Sequence, residues 1–486
     1  MNAASISCCR NTKRSSCARP AAAALSALFM ISPAGNADER MFLPGMLPFA
    51  NSSGLAATVS TAGRVDLTGP FFQSLGANGR ACVTCHQPGT GWTITPQHVQ
   101  ARFEETGGTD PLFRTNDGSD SPTADVSTIE ARRAAYGMLL TKALIRVGIG
   151  IPRDAEFELV AVEDPYQYAS AQELSLFRRP LPATNLKFLS AVMWDGRETF
   201  ADATSRDCIL GTATCFASIH FDLADQADGA TLGHAQGTES LSPEQRAAIV
   251  AFETGLTSAQ TFDDDAGDLT AGRAHGGPRS LEAQPFYFGI NDVVSGDYRT
   301  GAAFDSNVFT LYAAWGDARP NEHGTRVATR RAVARGQGLF NRKAIRITGV
   351  KGLNDDLGVP MLDGTCTTCH DAPNAGDHSV PAPLDIGVAD ASRRTPDLPL
   401  YTLRHKLPPF EIVQTTDPGR ALVTGKWRDI GRFKGPVLRG LASRAPYFHN
   451  GAARDLYAVV DFYDTRFGIG LTNDEKADLV AFLRTL

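Results

Sequence analysis

The sequence has no excess of basic residues and, beyond residue 37, no long apolar run. Its 486 residues include 47 Lys and Arg against 53 Asp and Glu, which gives a formal net charge of −6. A nucleic-acid interface needs a basic surface, so this balance argues against one. A transmembrane helix takes about 20 apolar residues in succession, and no segment after residue 37 provides them. We therefore expect neither nucleic-acid binding nor a membrane span.

The first 37 residues have the pattern of a secretory signal peptide. A basic stretch ends at Arg19, an apolar run extends from Ala21 to Ile31, and small residues precede Asp38. The alternative is a membrane anchor, but the apolar run is too short to cross a bilayer. The pattern predicts export from the cytoplasm and cleavage before Asp38.

Cysteine is scarce, and its positions are informative. Nine occur, and three of them lie in the predicted signal peptide. Four of the remaining six form two Cys-x-x-Cys-His motifs, at residues 82–86 and 366–370. Cys208 and Cys215 are left over. In an oxidising compartment we expect them to form a local disulfide, with two free thiols as the alternative.

Each Cys-x-x-Cys-His motif predicts one covalently bound haem c. Two cysteines three residues apart lie on one face of a helical turn, where both sulfur atoms can bond to one haem. The adjacent histidine then binds the iron as its proximal ligand. The alternative is a zinc site or a redox-active Cys-x-x-Cys. The predicted attachment residues are Cys82, Cys85, Cys366 and Cys369, and the predicted proximal ligands are His86 and His370.

The two halves of the chain share a weak repeat. Each contains one motif and ends in a similar predicted helix, at 241–252 and 471–482. Both helices open with a capping box, at Ser242 or Thr472. We predict a mainly α fold of two cytochrome c-like domains with long loops, insertions, and strands that are few and short. The predicted segments are a signal peptide at 1–37, an N-terminal domain at 38–256, a connecting segment at 257–325 and a C-terminal domain at 326–486.

Three further motifs resemble those of one known family. Residues 193–197 read Met-Trp-Asp-Gly-Arg, residues 433–440 read Phe-Lys-Gly-Pro-Val-Leu-Arg-Gly, and residues 444–451 read Arg-Ala-Pro-Tyr-Phe-His-Asn-Gly. They resemble signatures of the bacterial di-haem cytochrome c peroxidase family, which includes the MauG enzymes. The resemblance is strong over 330–486 and patchier over 60–256. It implies a peroxidatic N-terminal haem and an electron-transferring C-terminal haem.

The resemblance implies a distal ligand for the C-terminal haem. In the family's peroxidases, a methionine fourteen residues after the histidine that matches His449 binds this iron. Here that position holds Tyr463, as in the MauG branch, and no methionine lies beyond Met361. A phenolate is a hard donor that stabilises oxidised iron. Tyr463 is therefore the expected ligand, and simple packing in a helix at 455–464 is the alternative.

The N-terminal haem departs from the family pattern. The position of the family's distal histidine holds Arg102, so we expect an open distal site, with His98 as an alternative ligand. The family also uses a glutamine and an acid ten residues apart to move protons. Gln226 matches the glutamine. The acid's position holds a glutamine instead, and His234 or Glu239 is the expected substitute.

The resemblance assigns roles to several other residues. Trp194 matches the tryptophan that relays electrons between the haems. Arg439 and Arg444 are expected to pair with haem propionates, with a surface role as the alternative. His449 is expected near the C-terminal haem but not on its iron. The resemblance also allows a Ca2+ ion between the domains.

These features together predict a periplasmic di-haem oxidoreductase of the peroxidase or MauG type. It would use hydrogen peroxide, and its partner would be a small redox protein donor or a protein or organic substrate. Two alternatives stay open: a non-enzymatic di-haem electron carrier, and a haem dioxygenase of the rubber-oxygenase type.

Overall fold

The computed structural model of the protein describes residues 41–317 and 323–486, so the predicted signal peptide at 1–37 lies outside the described residues. Among the described residues, no helix combines the length and the apolar character needed to cross a membrane. The helices are α1 Pro96–Thr106, α2 Ile129–Ala135, α3 Gly137–Lys142, α4 Ile219–Gly233, α5 Pro243–Thr254, α6 Pro278–Glu282, α7 Ala313–Gly316, α8 Thr325–Arg342, α9 Ala421–Thr424, α10 Leu456–Phe467 and α11 Asn473–Leu483. The strands are β1 Phe42–Asn51, β2 Gly54–Asp66, β3 Ile145–Ile149, β4 Phe157–Glu163, β5 Leu174–Arg178, β6 Asp207–Cys208, β7 Cys215–Phe216, β8 Leu256–Asp263, β9 Gly267–Asp268, β10 Ile345–Thr348, β11 Met361–Gly364, β12 Leu400–His405 and β13 Ile412–Thr415.

The fold contains more β-structure than predicted. Helices make up 30% and strands 20% of the structure, so the mainly α prediction is confirmed only in part. The prediction of few and short strands is wrong, because β2 alone has 13 residues. Residues 56–60 of β2 are all buried. A strand buried on both faces lacks the apolar–polar alternation by which a half-buried strand is recognised in a sequence.

One antiparallel sheet has the strand order β1-β2-β8-β9. Strand β8 follows α5 directly and belongs to the segment that was expected to connect the domains. The hydroxyls of Thr58 on β2 and Ser258 on β8 are 2.7 Å apart and hydrogen-bonded. The amide of Gln260 on β8 donates to the carbonyl oxygen of Leu486 at 3.2 Å. This sheet therefore holds the C-terminal residue of the chain as well.

A second sheet, with the order β13-β12-β4, joins segments that are far apart in the chain. Strand β12 pairs antiparallel with β4, with Tyr401 opposite Val162. The Tyr401 hydroxyl, which is buried, donates to the carbonyl oxygen of Ser175 at 2.7 Å. The two predicted haem domains thus share a sheet. Their boundaries stay a prediction.

The repeated helices α5 and α11 begin with the two predicted capping boxes, which are confirmed. Each packs a phenylalanine into an aromatic cluster. Phe252 of α5 lies 4.7 Å from Phe71, and Phe482 of α11 lies 5.8 Å from Phe340, between ring centroids. Such pairs each contribute about 1 kcal/mol beyond their burial. Both clusters lie beside the predicted haem motifs, since the Phe71 and Phe340 rings lie 6.3 and 6.0 Å from the two motif histidines.

The predicted disulfide is confirmed. Cys208 and Cys215 are bonded to each other, and they are opposite one another in the short hairpin of β6 and β7. A seven-residue separation closes only a small loop, so this bond stabilises the hairpin locally rather than the whole fold.

Candidate haem-binding sites

The first Cys-x-x-Cys-His motif forms a tight turn at the wall of a cavity. Cys82–Thr84 is a single 3-10 turn. The amides of Cys85 and His86 both donate to the carbonyl oxygen of Cys82, at 3.2 and 3.0 Å. Cys82, Cys85 and His86 line one cavity, which we name the N-terminal cavity.

The second motif has the same local structure. Cys366–Thr368 is a 3-10 turn, and the hydroxyl of Thr365 accepts a hydrogen bond from the backbone at its start. Cys366, Cys369 and His370 line a second cavity, the C-terminal cavity. The local pattern of the sequence therefore builds the same three-residue arrangement twice.

Both motif histidines are oriented by a backbone carbonyl. His86 Nδ1 donates to the Trp92 oxygen at 3.0 Å, and His370 Nδ1 donates to the Gly376 oxygen at 2.8 Å. Burial lowers the pKa of both imidazoles. A neutral ring with Nδ1 bonded in this way presents the Nε2 lone pair, which is the arrangement that a metal-ligating histidine needs.

The four motif cysteines are unpaired. Burial raises the pKa of Cys82 to about 12 and that of Cys85 to about 11. It likewise raises the pKa values of Cys366 and Cys369 to about 12. They are thus neutral thiols in apolar surroundings. In residues 41–317 and 323–486, no group of three or more His, Cys, Asp or Glu side chains is placed to hold a metal ion. The predicted Ca2+ stays a prediction.

Four cations make no ion pair with a carboxylate in the described part of the chain: Arg179, Lys434 and Arg439, which are buried, and Arg444, which is half-buried. Arg439 is 1% exposed, and its Nε and Nη2 atoms have no hydrogen-bond partner there. The Nε of Arg444 also lacks one. Burial lowers the pKa of Arg439 and Arg444 to about 10 and that of Arg179 to about 9.

An unpaired buried charge costs several kcal/mol, so an anionic partner would stabilise these side chains. Haem propionates are planar carboxylates, which a guanidinium binds well. Arg444 and Lys434 line the C-terminal cavity, and Arg179 lines both cavities. Together with the oriented histidines and the free thiols, they fit covalently bound haem. Of the two arginines expected to pair with propionates, Arg444 lines the C-terminal cavity and Arg439 lines neither cavity, so their pairing stays a prediction. Sequence reasoning missed Arg179, which belongs to no motif.

Tyr463 lies on α10 and lines the C-terminal cavity. Its ring is surrounded by aromatic side chains, with Phe462 at 5.2 Å and Phe467 at 6.3 Å between centroids. The Tyr463 hydroxyl makes no hydrogen bond to a described side chain or carbonyl, and burial raises its pKa. The tyrosine both packs in the predicted helix and reaches the cavity that holds His370, so it is placed to meet a group bound there.

Trp194 lines both cavities. Its indole N–H donates to the carbonyl oxygen of Arg179 at 2.7 Å, and residues 180–182 line both cavities as well. The His449 ring lies 6.3 Å from the Trp194 ring and stacks on Phe433 at 4.0 Å. Burial lowers the pKa of His449 to about 4, so this imidazole is neutral.

The backbone beside Trp194 is fixed by buried ion pairs. Arg178 forms ion pairs with Asp195 at 2.6 Å and with Asp417 at 2.7 Å. Asp195 also forms an ion pair with Arg197 at 3.0 Å. Arg178 and both aspartates are at most 3% exposed. Since buried pairs of this kind are satisfied in one geometry only, they hold Trp194 at the wall between the cavities.

Helix α4 supplies one wall of the N-terminal cavity. The lining residues recur at intervals of three and four, and so share one face of the helix. They are Leu223, Gln226, Ala227, Ala230, Thr231 and His234. Gln226 and His234 therefore line the same cavity, and their proton-transfer roles stay a prediction.

Three other expected residues lie away from this cavity wall. Glu239 is exposed and lines neither cavity. His98 and Arg102 lie on α1 and do not line the N-terminal cavity either. Arg102 is bonded to Asp110 and to the carbonyl oxygen of Thr84. The side chains of α1 therefore contact the first motif from outside, and none of them lines the N-terminal cavity.

Sequence reasoning missed one buried acid. Glu253 of α5 lines the N-terminal cavity and is 6% exposed. Its Oε2 has no partner among the described residues, and burial raises its pKa to about 8. The signal was available: Glu253 follows Ile249 and Val250 on the buried face of α5, where a carboxylate is out of place.

Comparisons with known proteins find partial similarity to bacterial cytochrome c peroxidases. It is 31% identical over 168 residues to the cytochrome-c peroxidase IdrP1 of Pseudomonas sp. (strain SCT), which is 30% of this chain and 43% of that protein. It is 29% identical over 145 residues to the cytochrome c551 peroxidase of Pseudomonas aeruginosa, 30% of this chain and 35% of that protein. The chain therefore spans less than half the length of these relatives. No protein-family model matches it.

Among solved structures, the search found partial similarity to a MauG-like protein associated with microbial copper homeostasis. The TM-score is 0.31 and the sequence identity 19%, over 65% of this chain and 76% of that one.

Proposed function

We propose, from the premise that this chain belongs to the bacterial di-haem cytochrome c peroxidase and MauG family, that it is a periplasmic oxidoreductase that reduces hydrogen peroxide at the N-terminal cavity. Electrons reach that cavity through the C-terminal one. The observation that carries this proposal is the position of Trp194, which lines both cavities. Covalently bound haem c would supply the redox-active iron in each.

The chain's own residues have distinct tasks in the N-terminal cavity. His86, oriented by the Trp92 carbonyl, would bind the haem iron as its proximal ligand. Gln226 is placed to hydrogen-bond peroxide, because its side-chain amide can both donate and accept and because it shares the cavity with His86. The α4 face has alanine at 227 and 230, and these small side chains leave space for a flat ring.

The C-terminal cavity has the residues of an electron-transfer site. His370 and Tyr463 would bind one iron, with Arg444 and Arg179 paired to propionates. An anionic phenolate ligand favours oxidised iron over reduced iron. This tyrosine supports a MauG-like enzyme, which oxidises a protein or organic substrate, over a peroxidase that only accepts electrons from a small redox protein.

The decisive experiment is a peroxide titration of the purified ferric protein, followed by optical and paramagnetic-resonance spectra. We expect one high-spin haem that reacts with about one equivalent of peroxide and one low-spin haem with a tyrosine-type spectrum. If both haems are low-spin, six-coordinate and unaffected by peroxide, the protein is an electron carrier. If oxygen is consumed with a polyisoprene substrate and no peroxide is needed, it is a dioxygenase.

A further inference from the structure

His234 follows the last residue of helix α4, lines the N-terminal cavity and lies against the carboxylate of Asp117. We infer that His234 and Asp117 form the proton-transfer pair of this cavity, in which His234 is the catalytic acid–base and Asp117 is a positioning residue. The inference rests on the proposed function, since it assigns the proton movement that peroxide reduction requires.

The geometry fixes which ring nitrogen is available. His234 Nδ1 lies 2.5 Å from Asp117 Oδ2, so the ring donates its Nδ1 proton to the carboxylate. His234 Nε2 makes no hydrogen bond to any residue in 41–317 or 323–486, and both His234 and Asp117 line the cavity. A neutral imidazole in this tautomer presents an Nε2 lone pair that can accept a proton.

Asp117 is itself held in place. Arg80 forms a buried ion pair with it, and Arg80 also donates to the carbonyl oxygens of Pro111 and Leu112, each at 2.8 Å. Burial acts to raise the pKa of Asp117, but the hydrogen bond from His234 and the charge of Arg80 outweigh it and lower that pKa. The carboxylate therefore stays ionised and can stabilise a protonated His234.

The backbone of His234 is also held in place, in part by the same Arg80. Its carbonyl oxygen accepts hydrogen bonds from Asn78 Nδ2 at 2.8 Å and from Arg80 Nη1 at 3.1 Å. His234 lies eight residues after Gln226 on one helical face, which is about 12 Å along the axis. Two positioned polar groups thus reach the cavity from one helix, separated by the small residues Ala227 and Ala230.

The proton balance of the step is simple. His234 Nε2 accepts one proton from the first oxygen of hydrogen peroxide and returns it to the second oxygen, which departs as water when the O–O bond breaks. The overall reduction takes up two electrons and two protons per peroxide and releases two waters. The electrons come from the donor of the proposed function. His234 is regenerated unchanged.

The rate of cyanide binding tests the His234–Asp117 pair independently of peroxide turnover. Hydrogen cyanide must lose its proton to bind ferric iron, so a base in the cavity speeds its association. We expect His234→Gln to slow cyanide association by about 10²-fold and peroxide reduction by a similar factor. Asp117→Asn should slow both less, and Asp117→Glu should recover part of the rate. His220→Gln, an exposed histidine at the other end of α4, is the matched control.

Each result discriminates. Cyanide association at the wild-type rate in a His234→Gln protein with full haem content would overturn the inference and leave the proposed function standing. If His234→Gln loses haem, the two Asp117 variants decide: unchanged rates in both reject the pair. If the wild-type protein binds no cyanide, its N-terminal iron is closed, and the proposed function fails together with the pair.

Discussion

The indole N–H of Trp194 donates to the carbonyl oxygen of Arg179 at 2.7 Å, and both residues line both cavities. The tryptophan ring is thus fixed at the wall that the two cavities share. An aromatic ring in this position would shorten the distance that an electron crosses between haems bound in the two cavities. Trp194 is more readily oxidised than phenylalanine would be at the same place.

We therefore predict that Trp194→Phe slows electron transfer between the sites by at least about tenfold, equal to about 1.4 kcal/mol in the barrier. The first reaction with peroxide should keep its rate, because the N-terminal cavity is otherwise intact. Stopped-flow spectra at the absorption bands of the two haems measure both steps. Trp427→Phe is the control, since Trp427 lines neither cavity. Equal rates in wild type and Trp194→Phe would mean that electrons take another route.

Tyr463 and Tyr457 lie on the same helix but differ in surroundings. Tyr463 is half-buried and lines the C-terminal cavity, whereas Tyr457 is 50% exposed. We expect Tyr463→Phe to change the ferric spectrum of the C-terminal haem and to raise its reduction potential, because a phenolate that stabilises oxidised iron is lost. Tyr457→Phe should leave both unchanged. A Tyr463→Phe protein with the wild-type spectrum and potential shows that the tyrosine only packs.

A substitution of Arg439 tests whether this buried cation is paired with a haem propionate. If Arg439 is paired, Arg439→Met leaves a propionate without its partner and should destabilise the holoprotein by about 3 kcal/mol. Thermal unfolding with intact haem measures this loss. Arg454→Met is the control, since that arginine side chain is 90% exposed. A stability equal to or greater than that of wild type would show that Arg439 has no anionic partner.

Local patterns were readable from the sequence. The Cys-x-x-Cys-His turns, the two capping boxes and the Cys208–Cys215 bond each depend on residues within a few positions of one another. What sequence reasoning missed depends on pairing across long separations. Asp117 meets His234 across 117 residues, and Tyr401 meets Ser175 across 226. No periodicity or spacing encodes such pairs, because the backbone path between them sets the distance.

The burial of the charged Arg179 could not be predicted from the sequence either. A lone arginine in a sequence is most often on the surface, and only the fold reveals that this one is 5% exposed and faces two cavities. The strand β8 was missed for a related reason. Its partner β2 lies about 200 residues earlier, as the Thr58–Ser258 hydrogen bond shows. The residues near β8 in the sequence therefore contain no pattern that indicates this pairing.

Glu253 makes the stability of the protein depend on pH. Burial raises its pKa from 4.5 to about 8 in the folded state. Between these two values the folded protein keeps a proton that the unfolded chain has lost, so this residue's contribution to stability falls as the pH rises. The largest slope is about 1.4 kcal/mol per pH unit.

Glu253→Gln removes this dependence, because the amide is neutral at every pH and has nearly the same shape. Urea unfolding should give similar stabilities for the variant and the wild type near pH 4.5, and a variant that is more stable by on the order of 3 kcal/mol near pH 7.5. Glu244→Gln, in the exposed first turn of the same helix, should not gain stability in this way. Parallel pH dependences for Glu253→Gln and wild type would show that the carboxyl is ionised in the folded protein, and that a cationic or hydrogen-bonding partner reaches it in the cavity.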